Sequence, residues 1–228
     1  MAHTVRNSRL VRNGGKDLEG QLGDGTSSYL DSISDAIRRI SVASVESVLD
    51  LLLRTYVSGG RVYIMGNGGS AATATHMACD ITKTAQIADR APLWAFALTD
   101  NAALLTAWAN DAAYEQVFSE QLKGLARPGD LVVAISVSGR SPNVVAGLSA
   151  AARAGARTVG LFGMNGAPAV GLVDVAIHVD SSDFGLVETV HLAIVHVLAR
   201  DLRSRLAASG GRLQLDDACH MPDGGVES

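Results

Sequence analysis

Arg61-Val62-Tyr63-Ile64-Met65 runs without a break into Gly66-Asn67-Gly68-Gly69-Ser70, and then into an Ala/Thr/Met stretch that ends at Cys79-Asp80. A short apolar, β-branched segment, a glycine turn and a run of helix formers read as strand, loop and helix, with the loop at the carboxyl end of the strand. Glycines let the backbone approach a ligand closely. Ser70 is placed to cap the new helix, and the free amides of a first helical turn favour an anion. Further along, His76 and Asp80 stand four residues apart, so both side chains share one helix face. An imidazole and a carboxylate one turn apart make half of a metal site.

The rest of the chain repeats the alternation. Pro92–Leu98, Leu131–Ile135, Ala156–Phe162 and Val173–Val179 read as further strands, with helical stretches between them and a closing helix from Gly185 to about Ala207. Before the first strand, Leu30, Ile33, Ile37, Ile40, Val45, Val48, Leu51 and Leu52 recur at helical spacing, as one long helix or two short ones. This predicts an α/β fold, a five-stranded parallel, flavodoxin-like doubly wound sheet with helices on both faces. Residues 1–26 and 208–228 are glycine-rich and polar, which predicts a mobile N-terminal arm and C-terminal tail around a single domain over 27–207. The apolar leading helix suggests packing against another subunit.

The bulk numbers narrow the class. A chain of 228 residues that is 47% hydrophobic can bury one substantial core, and its formal charge of −4 argues against nonspecific nucleic-acid binding. The only two cysteines, Cys79 and Cys219, form neither a disulfide framework nor a zinc-finger spacing. No apolar run is long enough to cross a bilayer and the first residues lack a signal-peptide core, so a cytoplasmic protein is expected.

The third strand is followed by Ser136-Val137-Ser138-Gly139-Arg140-Ser141-Pro142. Three hydroxyls around a glycine turn at a helix start suit a phosphate monoester, and Ser141 before Pro142 has the form of an N-cap. The closing helix carries Glu188, His191 and His196 in an apolar frame. With His76 and Asp80, these supply carboxylates and imidazoles from two helices, the donor chemistry of a catalytic zinc or similar divalent ion.

In these motifs the chain resembles the SIS (sugar isomerase) domain family over about residues 28–206, and within it the sedoheptulose 7-phosphate isomerases, also called phosphoheptose isomerases. The resemblance rests on the Gly66–Ala72 loop with His76 after it, Asn110-Asp111, the serine loop 136–141 and the final helix with His196. It implies a divalent metal, zinc by its donor set, held by His76, Asp80, Glu188 and His196. It also implies a substrate site at Asn67, Gly68, Gly69, Ser70, Asp111, Ser136, Val137, Ser138 and Ser141. Asp80 stands where relatives carry Glu, and Glu188 where they carry Gln. Thr73 replaces an Asp, while Thr84 and Leu186 replace arginines. The implied reaction, in heptose biosynthesis, is conversion of sedoheptulose 7-phosphate to an aldoheptose 7-phosphate through an enediol. Asp80 or Glu188 would shuttle the proton, with His196 as an acid. A homotetramer with sites at subunit interfaces is implied too. Two alternatives stay open: a non-catalytic sugar-phosphate- or partner-binding SIS protein, and an isomerase or epimerase of another sugar phosphate.

Overall fold

A computed structural model describes residues 18–209, with side chains from residue 25. Five parallel strands make one sheet: β1 (Val62–Gly66), β2 (Ala95–Ala97), β3 (Leu131–Ser136), β4 (Arg157–Gly163) and β5 (Val175–Val179), in the order β2-β1-β3-β4-β5. The helices are α1 (Leu18–Arg38), α2 (Val42–Val57), α3 (Gly69–Cys79), α4 (Ala102–Asp111), α5 (Val117–Leu125), α6 (Pro142–Arg153) and α7 (Phe184–Ala208). No helix among the described residues is long and apolar enough to cross a membrane.

Side chains alternate across the sheet as a period of two requires. Val62 and Ile64 of β1, with Leu131, Val133 and Ile135 of β3, join Leu49, Leu52, Met77, Ile194 and Leu198 in one core. Tyr63 and Met65, with Val132 and Ala134, face Phe118, Leu122, Val144 and Leu148 in the other. Both central strands are buried on both faces, which explains their near-continuous apolar sequence. Consequently α3 and α6, the helices that follow β1 and β3, leave the sheet toward opposite sides.

Several boundaries differ from the sequence reading. Of the two readings left open for the leading segment the structure has two helices, broken where Ser41 Oγ accepts the Ser44 amide at 3.2 Å. Helix α1 begins at Leu18, so residues 18–26, expected in the arm, are helical despite the weak helix propensity of their glycines. The remainder of the arm and residues 210–228 of the tail lie outside the described residues. Strand β2 has only three residues rather than seven, because it is the sheet edge and its outward Phe96 and the neighbouring Trp94 are exposed. Asn101 caps α4, accepting the Leu104 amide at 3.0 Å.

His191 is fully buried in the middle of α7, and neither ring nitrogen has a protein hydrogen-bond partner. Desolvation lowers its pKa from 6.5 to about 4; the nearby Phe162 backbone opposes this in part, and His178 adds a still smaller push downward. The unfolded chain therefore binds a proton that the folded chain refuses between about pH 6.5 and about pH 4, and stability falls as pH drops through that window. The full effect is on the order of 3 kcal/mol. Denaturant titrations of wild type and His191→Leu at about pH 7 and about pH 4.5 are expected to show the variant losing about 2 kcal/mol less stability on acidification.

Candidate active site

The strand order reverses at β1, whose neighbours β2 and β3 lie on either side, and the loops after β1 and β3 diverge from adjacent strand ends. Ligands in open α/β sheets bind in the crevice this creates. Here the crevice holds a cavity of about 280 Å³, lined by Asn67, Gly68, Gly69 and Ser70 of the first loop, Ser136, Val137, Ser138 and Ser141 of the second, and Phe184 and Glu188 of α7. No lysine or arginine lines it. An anion bound there must rely on amides, hydroxyls and helix N-termini.

The first loop is built for that task, though not through Ser70 as a cap. Gly68 takes the N-cap position at φ 57°, a left-handed conformation open to glycine, and Ser70 is buried as the second residue of α3. The Gly68 carbonyl accepts the amides of Ala71 and Ala72, while those of Gly69 and Ser70 have no backbone acceptor among the described residues. In the second loop Ser141 holds the N-cap position of α6, yet its hydroxyl makes no capping bond. Ser136 Oγ accepts the Gly139 amide at 3.1 Å and Ser138 Oγ the Arg140 amide at 3.2 Å, so both hydroxyl protons point elsewhere.

Asn67 plays a part the sequence did not suggest. Its side-chain amide pairs reciprocally with that of Asn143, each Nδ2 donating to the other's Oδ1 at 2.9 Å, and Tyr114 donates its hydroxyl to Asn67 Oδ1 at 3.0 Å. The side chain expected to touch substrate lines the cavity and also ties the first loop to α6 across the crevice. Asn143 is 2% exposed and one residue past a Ser-Pro helix start, the signal by which it could have been noticed. Asp111 is not brought to the cavity; it is exposed at the end of α4 and accepts from Asn110 Nδ2 at 2.8 Å.

Down the seam between α3 and α7, His76, Asp80 and His196 converge, with one ligand atom from each within 4.8 Å of the others. The two Nε2 atoms are 3.0 Å apart, and Asp80 Oδ2 lies 3.3 Å from His76 Nε2 and 3.8 Å from His196 Nε2. A tetrahedral ion with bonds of about 2.0 to 2.1 Å holds its ligands about 3.3 Å apart. The three separations bracket that value, so the residues present fit a divalent ion with three protein ligands and an open position.

Glu188, expected as a fourth ligand, is not in this cluster. It precedes His196 by two turns, about 12 Å along α7, and its carboxylate stands against Gly69, where a Cβ would come within 2.3 Å of Oε2. A glycine at 69 is thus what makes room for it. Glu188 has no hydrogen-bond or ion-pair partner among the described residues. A larger hollow of about 530 Å³ near Tyr56 and Trp94, at the amino ends of β1 and β2, offers one charged lining group, Arg90. That guanidinium is tied to Leu206 O at 2.6 Å and Ser209 Oγ at 3.0 Å.

Comparison with known proteins agrees with this arrangement. A sequence profile for the SIS domain matches residues 28–163. The phosphoheptose isomerase of Geotalea daltonii is 41% identical over 162 residues, which span 71% of this chain and 84% of that one. The probable phosphoheptose isomerase of Thermoplasma acidophilum is 36% identical over 170 residues, spanning 75% and 93%. The solved phosphoheptose isomerase of Neisseria gonorrhoeae has a TM-score of 0.74 at 29% identity and covers 82% of this chain and 99% of its own. With its glycine and serine loops at the β1/β3 crevice and relatives matched over most of their length, the chain belongs to the SIS domain family, together with the phosphoheptose isomerases.

Proposed function

We infer that the protein is a phosphoheptose isomerase, an aldose-ketose isomerase that converts sedoheptulose 7-phosphate to an aldoheptose 7-phosphate. The observation that carries the inference is the pairing of a cation-free hydroxyl-and-amide cavity with a free carboxylate inside it. The relatives' shared name supplies the substrate. In this reading the phosphate rests against Ser136, Ser138 and Ser141 and the unpaired amides of Gly69 and Ser70.

The isomerisation moves a proton between C1 and C2 by way of an enediol. Of the two candidate bases, Asp80 already has both oxygens engaged, one by Thr84 and the other by the two histidines. Glu188 has neither oxygen engaged and faces the cavity, so it takes the proton from C1 and returns it to C2. A divalent ion on His76, Asp80 and His196, zinc by its donor set, supplies Lewis acidity toward the substrate's oxygens when bound. Asn67, Asn143 and Tyr114 hold the two loops in register.

The exposed apolar side chains of α1 and α2, among them Tyr29, Leu30, Ile37 and Val42, support a further element of the proposal, a homotetramer whose subunits complete one another's sites. Phe184, also exposed at the cavity rim, lies where a neighbouring subunit would cover it.

Incubation of metal-analysed protein with sedoheptulose 7-phosphate is expected to yield an aldose phosphate, with activity lost to a chelator and restored by zinc. Conversion that ignores the chelator removes the metal from the proposal. Bound metal without conversion points to another sugar phosphate, and neither metal nor conversion to a binding protein. Glu188→Gln is expected to lower kcat about 10²- to 10⁴-fold with little change in KM. Gly69→Ala tests the same group from the other side: the new methyl displaces the Glu188 carboxylate, a flexible side-chain end, so the fold survives while kcat falls about 10²-fold. A Gly69→Ala enzyme with wild-type kcat would exclude Glu188 as the base.

A further inference from the structure

Asp80 ends α3, and the chain does not stop there but continues into a single π turn, Asp80–Thr84, closed by the Ala85 amide donating to the Asp80 carbonyl at 2.8 Å. Such turns carry an extra residue per turn and recur at functional sites. This one brings Thr84 back over the carboxylate. Thr84 Oγ1 donates to Asp80 Oδ1 at 2.9 Å, while Oδ2 is the oxygen that faces His76 and His196. The two oxygens of one carboxylate are therefore divided between a hydroxyl behind it and two imidazoles in front.

The turn is in turn fastened to the helix that supplies the second histidine. Arg203, seven residues after His196 on α7, donates from one guanidinium nitrogen to Thr84 O at 3.0 Å and to Gln86 O at 2.7 Å. These carbonyls are ones that the irregular end of α3 leaves without a helical partner. The imidazoles have less support of their own: neither His76 nor His196 has a hydrogen bond at Nδ1 to any described residue of this chain. Hydrogen-bonded ligand orientation at the cluster is concentrated on Asp80.

We propose that Thr84 and Arg203 are positioning residues for a divalent cation at His76, Asp80 and His196: Thr84 fixes the Asp80 rotamer through Oδ1, and Arg203 locks the π turn that carries Thr84. The proposal rests on the metal reading of the cluster. It accounts for how an aspartate, with a short side chain, presents one oxygen to both histidines. Without the hydroxyl, Asp80 is free to rotate about its terminal bond, and the ligand set loses its alignment before the ion arrives. Outer-shell hydrogen bonds of this kind change metal affinity about 10- to 100-fold.

The test is a zinc titration of metal-stripped full-length protein against a competing chromophoric chelator, for wild type, Thr84→Val, Thr84→Ser and Arg203→Gln. Thr84→Val keeps the side-chain shape and removes the donor; it is expected to weaken zinc binding about 10- to 100-fold, with an unchanged melting temperature for the metal-free protein. Thr84→Ser restores the hydroxyl and is expected to bind within about threefold of wild type, and Arg203→Gln to weaken binding about tenfold. Wild-type affinity in Thr84→Val overturns the proposal and leaves the metal reading standing. Equal weakening in Thr84→Ser also overturns it, because the loss then belongs to the backbone rather than to the hydroxyl. Wild-type protein that binds no zinc overturns the metal reading and this proposal together.

Discussion

Strands β1 and β3 pair directly, in register from Val62 with Leu131 to Gly66 with Ile135, although a strand and three helices separate them in sequence. Because α3 packs in one core and α6 in the other, the two chains part company as soon as they leave the sheet. A gap between diverging loops follows from that geometry. Both helix N-termini open into it, and their partial positive charges add where no cationic side chain is present. The serines and glycines of the loops are useful only because this pairing brings them together.

A crevice held open by topology still needs its two walls kept in register. The reciprocal Asn67–Asn143 amide pair does this across the gap, with both side chains satisfying each other's donors and acceptors at 2.9 Å. Amide pairs of this type tolerate little displacement, since each loses two bonds at once when the walls separate. The adjoining α3–α7 seam works differently. There the contacts are between imidazoles and a carboxylate that repel or attract according to what sits among them, and order comes from Thr84 and Arg203 behind the ligands.

Helix α7 shows how one element can carry three ionisable side chains to three different ends. Glu188 reaches the crevice cavity, His196 meets His76 and Asp80 of α3, and His191, five residues before it, is enclosed by the core and kept neutral by desolvation. An eight-residue spacing looks, along the chain, like a pair of ligands for one ion. In the structure the two stand apart, Glu188 against Gly69 and His196 against His76.

The fold class was legible in the sequence because local chemistry dictates it: buried strands need continuous apolar runs, and the glycine and serine loops can only follow them. His76 and Asp80 as a same-face pair were legible because spacing on a helix sets which side chains share a face, whereas His196 on another helix was joined to them only by its donor chemistry and by the family resemblance. The start of α1 at Leu18 was not legible, because glycines at 20, 23 and 25 lower the helix propensity of its first turns. Nor was the division of labour at the site. Whether Glu188 joins the histidines, whether Asn67 faces substrate or Asn143, and whether Thr84 supports Asp80 all depend on distances between segments far apart in sequence. Those distances follow from strand order, the crossing of α3 with α7, and one π turn. Sequence by itself determined the kinds of chemistry this protein carries; the tertiary structure alone decided which groups meet, because contact is a property of packing and not of spacing along the chain.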